Sequence, residues 1–287
     1  MDKSSNSENP LHGLWALTNR ELKKWLKNPW QFLLTIIQPI IWMALFGKAM
    51  NLGAVLTSIS PPGISSQEIS QLSQKALTKI FGTEDYFSFM SVGILSFVVL
   101  FTTMFGGMSI VWDRRFGFLN KVLSTPVARG SIIMSKVFAA VIRALLQAAI
   151  VLSVAYLLGL KLGPNFTPLK ILGVFTALFL VSLGLASIFI LIAIRSTRWE
   201  TQMAVINLLN LPLLFASNTL FPTALMPNWL QAIAKVNPVT YANDATRQLI
   251  IYSTNMGQLI FDFIYLGAFA IIFTTMGIML SWRYLSK

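Results

Sequence analysis

Residues 113–136 read DRRFGFLNKVLSTPVARGSIIMSK, and the fold turns on what this stretch joins. It carries Arg114, Arg115, Lys121, Arg129 and Lys136 against one acid, Asp113, and a long apolar run lies on either side of it. Phe116, Leu119 and Leu123 are spaced three and four apart, so the spacing predicts a short helix with one apolar face. Thr125-Pro126 ends that helix, because proline drives the residue before it out of the helical region. A basic, half-apolar helix between two greasy segments is either a surface-lying anchor or a docking face for a soluble partner. The apolar face favours docking, since such a face calls for something to cover it.

The chain is 55% hydrophobic and only 11% charged, where soluble domains hold about a quarter charged residues. The expected class is an all-α integral membrane protein. There is no cysteine, and His12 is the one histidine. That removes thiol chemistry, disulfides and any histidine-based metal site or triad within one chain. The net charge of +12 reads as Lys and Arg flanking membrane spans beside anionic headgroups, not as nucleic-acid binding. Residues 1–10 are polar and lack the apolar core of a signal peptide, so they are expected to form a flexible cytoplasmic tail.

Residues 11–28 form an amphipathic pattern. Leu14, Trp15, Leu22, Trp25 and Leu26 share one face, and Arg20, Lys23, Lys24 and Lys27 the other. This fits an interfacial helix with tryptophans at the headgroup layer; amphipathicity alone leaves open whether it also braces a partner. Residues 29–287 then read as one transmembrane domain. Six spans are expected at about 30–50, 87–111, 138–160, 171–194, 202–220 and 259–280, each near the 20 apolar residues a bilayer requires. Gln38-Pro39 interrupts the first and Pro212 the fifth. Gly93, Gly106, Gly107 and Gly184 offer flat patches for close helix packing.

Between the first two spans, Ser60-Pro61-Pro62-Gly63 marks a turn. Ser65 and Glu68 make a capping box ahead of a short helix with Ile69, Leu72, Ala76 and Ile80 as its apolar face. Residues 221–257 alternate helix breakers with apolar runs. Met226-Pro227 and Asn237-Pro238 each start a fresh helix, and the expected form is a short re-entrant pair in the outer leaflet.

Outside the spans, 14 lysines and arginines fall on one side and 6 on the other. The richer side is expected to be cytoplasmic, with both termini inside and Trp282, Arg283 and Tyr284 anchoring the last span. Three ionisable residues fall inside span ends: Lys48, Arg143 and Asp262. Arg143 is either a functional intramembrane cation or one that snorkels to the interface.

No Walker A pattern, HExxH, dinucleotide fingerprint or GxSxG is present. The chain lacks an energy source of its own. A secondary transporter would need ionisable residues near the midplane and an internal repeat, and neither is evident. A membrane scaffold protein remains the other alternative.

Three local stretches resemble the permease subunit of type-2 ABC exporters, in the daunorubicin-resistance branch. The first is the hub, through Gly117, Leu119, Leu123, Thr125, Pro126, Arg129 and Lys136. The second is FPTALMPNWL, through Phe221, Pro222, Pro227 and Leu230. The third is NPVTYANDATRQL, through Asn237, Pro238, Tyr241, Asp244 and Arg247. Asn120 stands where such permeases commonly carry an acid. The resemblance implies a non-enzymatic transport subunit in the cell membrane that moves a drug-like molecule, lipid or polysaccharide. It implies pairing with a second permease chain, as homodimer or heterodimer, and docking of a separate ABC ATPase that holds ATP and Mg. Residues 113–136 would be the coupling segment, with Arg114, Arg115, Phe116, Gly117, Leu119, Leu123 and Pro126 transmitting the ATPase motion. The motif at Phe221–Arg247 would cap the outer exit.

Overall fold

The computed structural model describes residues 10–49, 66–83, 85–125, 127–196 and 198–285. The turn at Ser60–Gly63, Ser65 of the capping box, Pro126 and most of the N-terminal tail lie outside the described residues, and Trp282, Arg283 and Tyr284 are described by backbone alone. Among the described residues every regular element is helical.

Helix α1 (Pro10–Leu26) precedes α2 (Pro29–Trp42), which runs through Pro39 and widens into a π-helical segment at Met43–Ala49. Helix α3 (Ser66–Phe81) leads to α4 (Tyr86–Arg115). Asp85 starts α4 by accepting the Ser88 amide at 2.9 Å, so one of its orphan donors is satisfied. After α4 come α5 (Phe118–Leu123), α6 (Arg129–Leu157) and α7 (Lys170–Arg195). Then follow α8 (Trp199–Phe215), α9 (Asn228–Ala234), α10 (Pro238–Ile250) and α11 (Met256–Leu285).

Helix α4 is the central post. It packs on α6 and α7, while α10 packs against α4 at the end remote from Arg115 and α11 lies along α7. Glycines make the approach close. A Cβ at Gly107 would fall 2.6 Å from the Phe189 carbonyl oxygen, and one at Gly106 2.7 Å from the Ala140 Cβ. Small residues let helix backbones meet, which is how spanning helices associate in lipid.

Four helices, α4, α6, α7 and α11, carry stretches long and apolar enough to cross a membrane. The expected first and fifth spans are shorter as α-helices. The apolar part of the first runs Phe32–Leu45. Helix α8 has 17 residues, about 26 Å at 1.5 Å per residue, and Pro212 lies inside it without breaking it.

Two amphipathic faces differ from their sequence patterns. On α1 the inward residues are Thr18, Glu21 and Trp25, and Trp15 and Leu26 point outward. On α3 Ser73, Leu77 and Phe81 face the protein, and Leu72 and Ile80 do not. A helix with apolar residues on more than one side gives a pattern that does not say which side meets protein.

Candidate functional site: a basic hub, a groove and a buried arginine lock

The hub is built differently from a single short helix. Helix α4 continues through Asp113, Arg114 and Arg115, and the chain turns at Phe116-Gly117 before α5 begins. Gly117 has φ +70° with open space around it, so the position asks for a left-handed backbone that glycine supplies at least cost. This turn separates residues that the sequence pattern puts on one face. Phe116 is 71% exposed and stacks on Trp112 at 5.6 Å. Leu119 is 5% exposed and packs inward with Val122 and Ile132, with Leu123 alongside. Arg114 is turned inward too. Its guanidinium donates to the Ile194 and Ser196 carbonyls at 2.8 and 3.0 Å, closing the C-terminal end of α7, where cations are favoured. Arg115 stays on the outer face with Asn120 and Lys121.

Beneath the hub lies a buried charge network. Lys136 of α6 donates to Glu21 of α1 at 2.9 Å and to Asp113 of α4. Arg20 pairs with Glu21 at 2.8 Å and approaches Asp113 at 3.6 Å, with its guanidinium 3.4 Å from the Phe118 ring centroid. Two cations and two acids cancel, and the quartet ties three helices together. Helix α1 is therefore bolted to the hub through Arg20, while Lys23, Lys24 and Lys27 project from its exposed side. Glu21 has no place in the sequence reading of the site. Its signal is the single acid of α1, one helical turn from Trp25 on the buried face.

A groove of about 550 Å³ opens beside this network, between α1, α2, α4, α6 and α8. Phe97, Phe101 and Phe105 recur every four residues along α4 and form one wall, with successive ring centroids 4.4 and 6.4 Å apart. Gln38 and Pro39 lie on the opposite side. Arg143 and Gln147 of α6 face the same space. Gln147 is fully engaged: it accepts from Thr102 and donates to Thr35 at 2.8 Å. The phenylalanine spacing was present in the sequence, but phenylalanines in a span are ordinary, so nothing singled them out.

The Phe221–Arg247 motif lies at the other end of α4, around Arg247. Arg247 of α10 is 1% exposed. Its fork donates to the carbonyls of Phe89, Asn218 and Thr219, with contacts of 2.7 to 3.3 Å, and stacks 3.6 Å above the Phe89 ring. A Cβ at Gly93 would stand 2.3 Å from the Thr219 oxygen, so α4 and the turn after α8 touch backbone to backbone. Asn237 caps α10 through the Val239 amide at 3.0 Å and donates to the Leu213 and Ala216 carbonyls. Tyr241 stacks on Tyr265 at 3.9 Å, and Asn218 donates to Asp244. Burial pushes the Asp244 carboxyl up from its ordinary value, while Arg247 and the Asn218 amide pull it down. Pro227 and Pro238 start their helices as their sequence context predicts. Phe221 and Pro222 lead into α9 without joining this lock. Asp262 of α11 is buried and accepts from Gln248 and Gln258 at 3.2 and 2.8 Å.

Long apolar helices cross-linked by buried polar contacts, with a basic rim at one end, define a multi-pass helical membrane protein. The chain belongs to the ABC-2 type transporter family, whose family model matches residues 12–251. It is 32% identical over 267 residues to a protein named transport permease ycf38 of Cyanophora paradoxa, covering 90% of this chain and 83% of the relative. It is 30% identical to the protein of that name from Pyropia yezoensis, covering 81% and 72%. Similarity extends to the daunorubicin resistance ABC transporter permease protein DrrB1 of Streptomyces coeruleorubidus, at 26% identity over 58% of this chain and 59% of the relative.

Proposed function

We propose that the chain is the membrane-spanning subunit of an ATP-driven exporter for an amphiphilic substrate. A drug-like molecule, as the name of the daunorubicin relative indicates for that protein, is one option, and a lipid or polysaccharide is another. Energy comes from a separate ABC ATPase that holds ATP and Mg. The observation that carries this reading is the Trp112–Phe116 step: an exposed aromatic pair at the basic end of α4, beside Arg115, on a hub packed from within, where the pair also borders the groove. An uncovered aromatic pair beside cations is the composition of a protein contact.

Arg115 and Phe116 are the residues that touch the ATPase in this reading. Arg114, Gly117, Leu119 and Leu123 give the hub its shape. Six passes place both termini and the hub in the cytoplasm of a cell membrane, with α2 and α8 completing the count and α9–α10 as the outer re-entrant pair. The outward row Leu208, Leu211 and Phe215 on α8 faces a second permease chain. Helix α1 lies along the lipid headgroups.

The test is purification of the tagged chain from its own membranes in mild detergent. An ATPase subunit with Walker motifs, recovered in about equal amount, is expected. A chain that elutes alone from every detergent, with no ATP-dependent transport in its membranes, overturns the reading.

A further inference from the structure

The groove beside α4 holds a cation, Arg143, with no direct ion-pair partner among the described residues. Arg143 donates one hydrogen bond, from Nε to the Ala139 carbonyl of its own helix at 3.0 Å. Its Nη2 is shut from the surface and finds no hydrogen-bond partner among the described residues. Glu21 is the acid on the groove wall, and its Oε1 already serves Lys136 and Arg20. The Glu21 carboxylate is shared between Lys136, Arg20 and, at longer range, Arg143, so among the described residues no acid serves Arg143 alone. Lys24 at the mouth adds a second cation. A charged side chain within a spanning helix is costly and is normally paired or turned to a polar cavity. Gln147, one turn away, shows the contrast, since Thr35 and Thr102 satisfy its amide.

Much of the remaining wall is apolar, with Thr35, Gln38, Thr102, Ser109 and Gln147 as its polar residues. The Phe97–Phe101–Phe105 ladder runs along it from a buried ring to a half-open one. A guanidinium beside an aromatic wall matches a carboxylate or phosphate ester joined to an apolar body, because the fork can donate to two acid oxygens at once. We propose that the groove binds an amphiphile with an acidic headgroup, its acid on Arg143 and its apolar body along the three phenylalanines. This narrows the substrate class of the exporter reading and rests on it for the claim that the bound molecule is cargo.

Trp25, Trp112 and Trp199 line the groove, so a brominated ligand seated there quenches tryptophan fluorescence. The experiment uses the full chain, without ATPase, in phosphatidylcholine nanodiscs. It is titrated with dibrominated stearate and, separately, with the dibrominated alcohol of the same length. The acid is expected to saturate at about ten-fold lower concentration than the alcohol, the worth of one charge-assisted hydrogen bond. Arg143→Gln is expected to abolish that ratio and Arg143→Lys to keep part of it. Equal titration of acid and alcohol on the unmodified chain overturns the proposal and needs no variant; so does an unchanged ratio in Arg143→Gln. Repeating the titration with phosphatidylglycerol in the disc separates the sources. An unchanged acid affinity supports cargo, whereas its loss assigns the site to a resident phospholipid and overturns the cargo claim. ATPase recovery with Arg143→Gln reports on the exporter reading independently.

Discussion

Lys136 on α6 and Glu21 on α1 stand 2.9 Å apart although 115 residues separate them in the chain. Both side chains are at most 5% exposed. Asp113 completes the contact from α4, so one ammonium holds two acids and three helices. Helix α1 is thereby made part of the hub.

Lys136→Met leaves Glu21 and Asp113 buried without their shared cation. We expect a loss of about 3 kcal/mol or more, the scale for breaking a buried pair from one side. Glu21→Gln is expected to cost less, since Lys136 keeps Asp113. Thermal unfolding in detergent checks both, and the double variant should lose less than the two single losses combined.

Phe116→Asp and Leu119→Asp are expected to part company. Phe116 faces outward, so Phe116→Asp should leave the unfolding temperature within a degree or two of wild type and abolish ATPase recovery in the pull-down. Leu119 is in the hub core, so Leu119→Asp should lower the unfolding temperature and the yield. Equal recovery of the ATPase with Phe116→Asp would remove this face from the contact.

Arg247→Lys is not conservative here, because a lysine cannot serve three carbonyls from a planar fork. Losing its charge-assisted bonds should cost roughly 3 kcal/mol. Gly93→Ala should destabilise the same joint by forcing Thr219 away from α4. Unfolding of each variant is the measurement, and a wild-type midpoint for either would contradict the lock.

Asp244 sets a pH dependence with a definite sign. Burial, the largest influence, raises its carboxyl above the unfolded value against the opposing pull of Arg247 and Asn218. The folded state therefore binds its proton more tightly. The resulting contribution to stability is complete below the ordinary carboxylate range and is lost as pH rises through the folded value. Asp244→Asn should remove that part of the slope, read as the difference between the two unfolding curves across roughly pH 4 to 8.

Gly117→Ala tests the turn. The left-handed backbone at this position costs a non-glycine residue about 1–2 kcal/mol, and Gly117→Asn should cost less, asparagine tolerating that region better. A comparison of the two unfolding midpoints decides it, equal midpoints arguing against the conformational cause.

The sequence by itself determined the membrane class, the helix starts at Pro227 and Pro238, the glycines where helices meet, and the basic rim around residues 113–136. These are local or compositional: a proline fixes its own φ, and a scarcity of charge reports the solvent. What only the tertiary structure decided is which side of each helix faces protein. Leu119 turns in while Phe116 turns out, Arg114 closes α7, Glu21 meets Lys136, and Arg247 locks the turn after α8 while Arg143 is left with a groove before it. Along a helix in lipid, residues facing protein and residues facing acyl chains are equally apolar, so periodicity loses the contrast it relies on in water. Contacts between residues a hundred positions apart follow from packing, which no local spacing encodes.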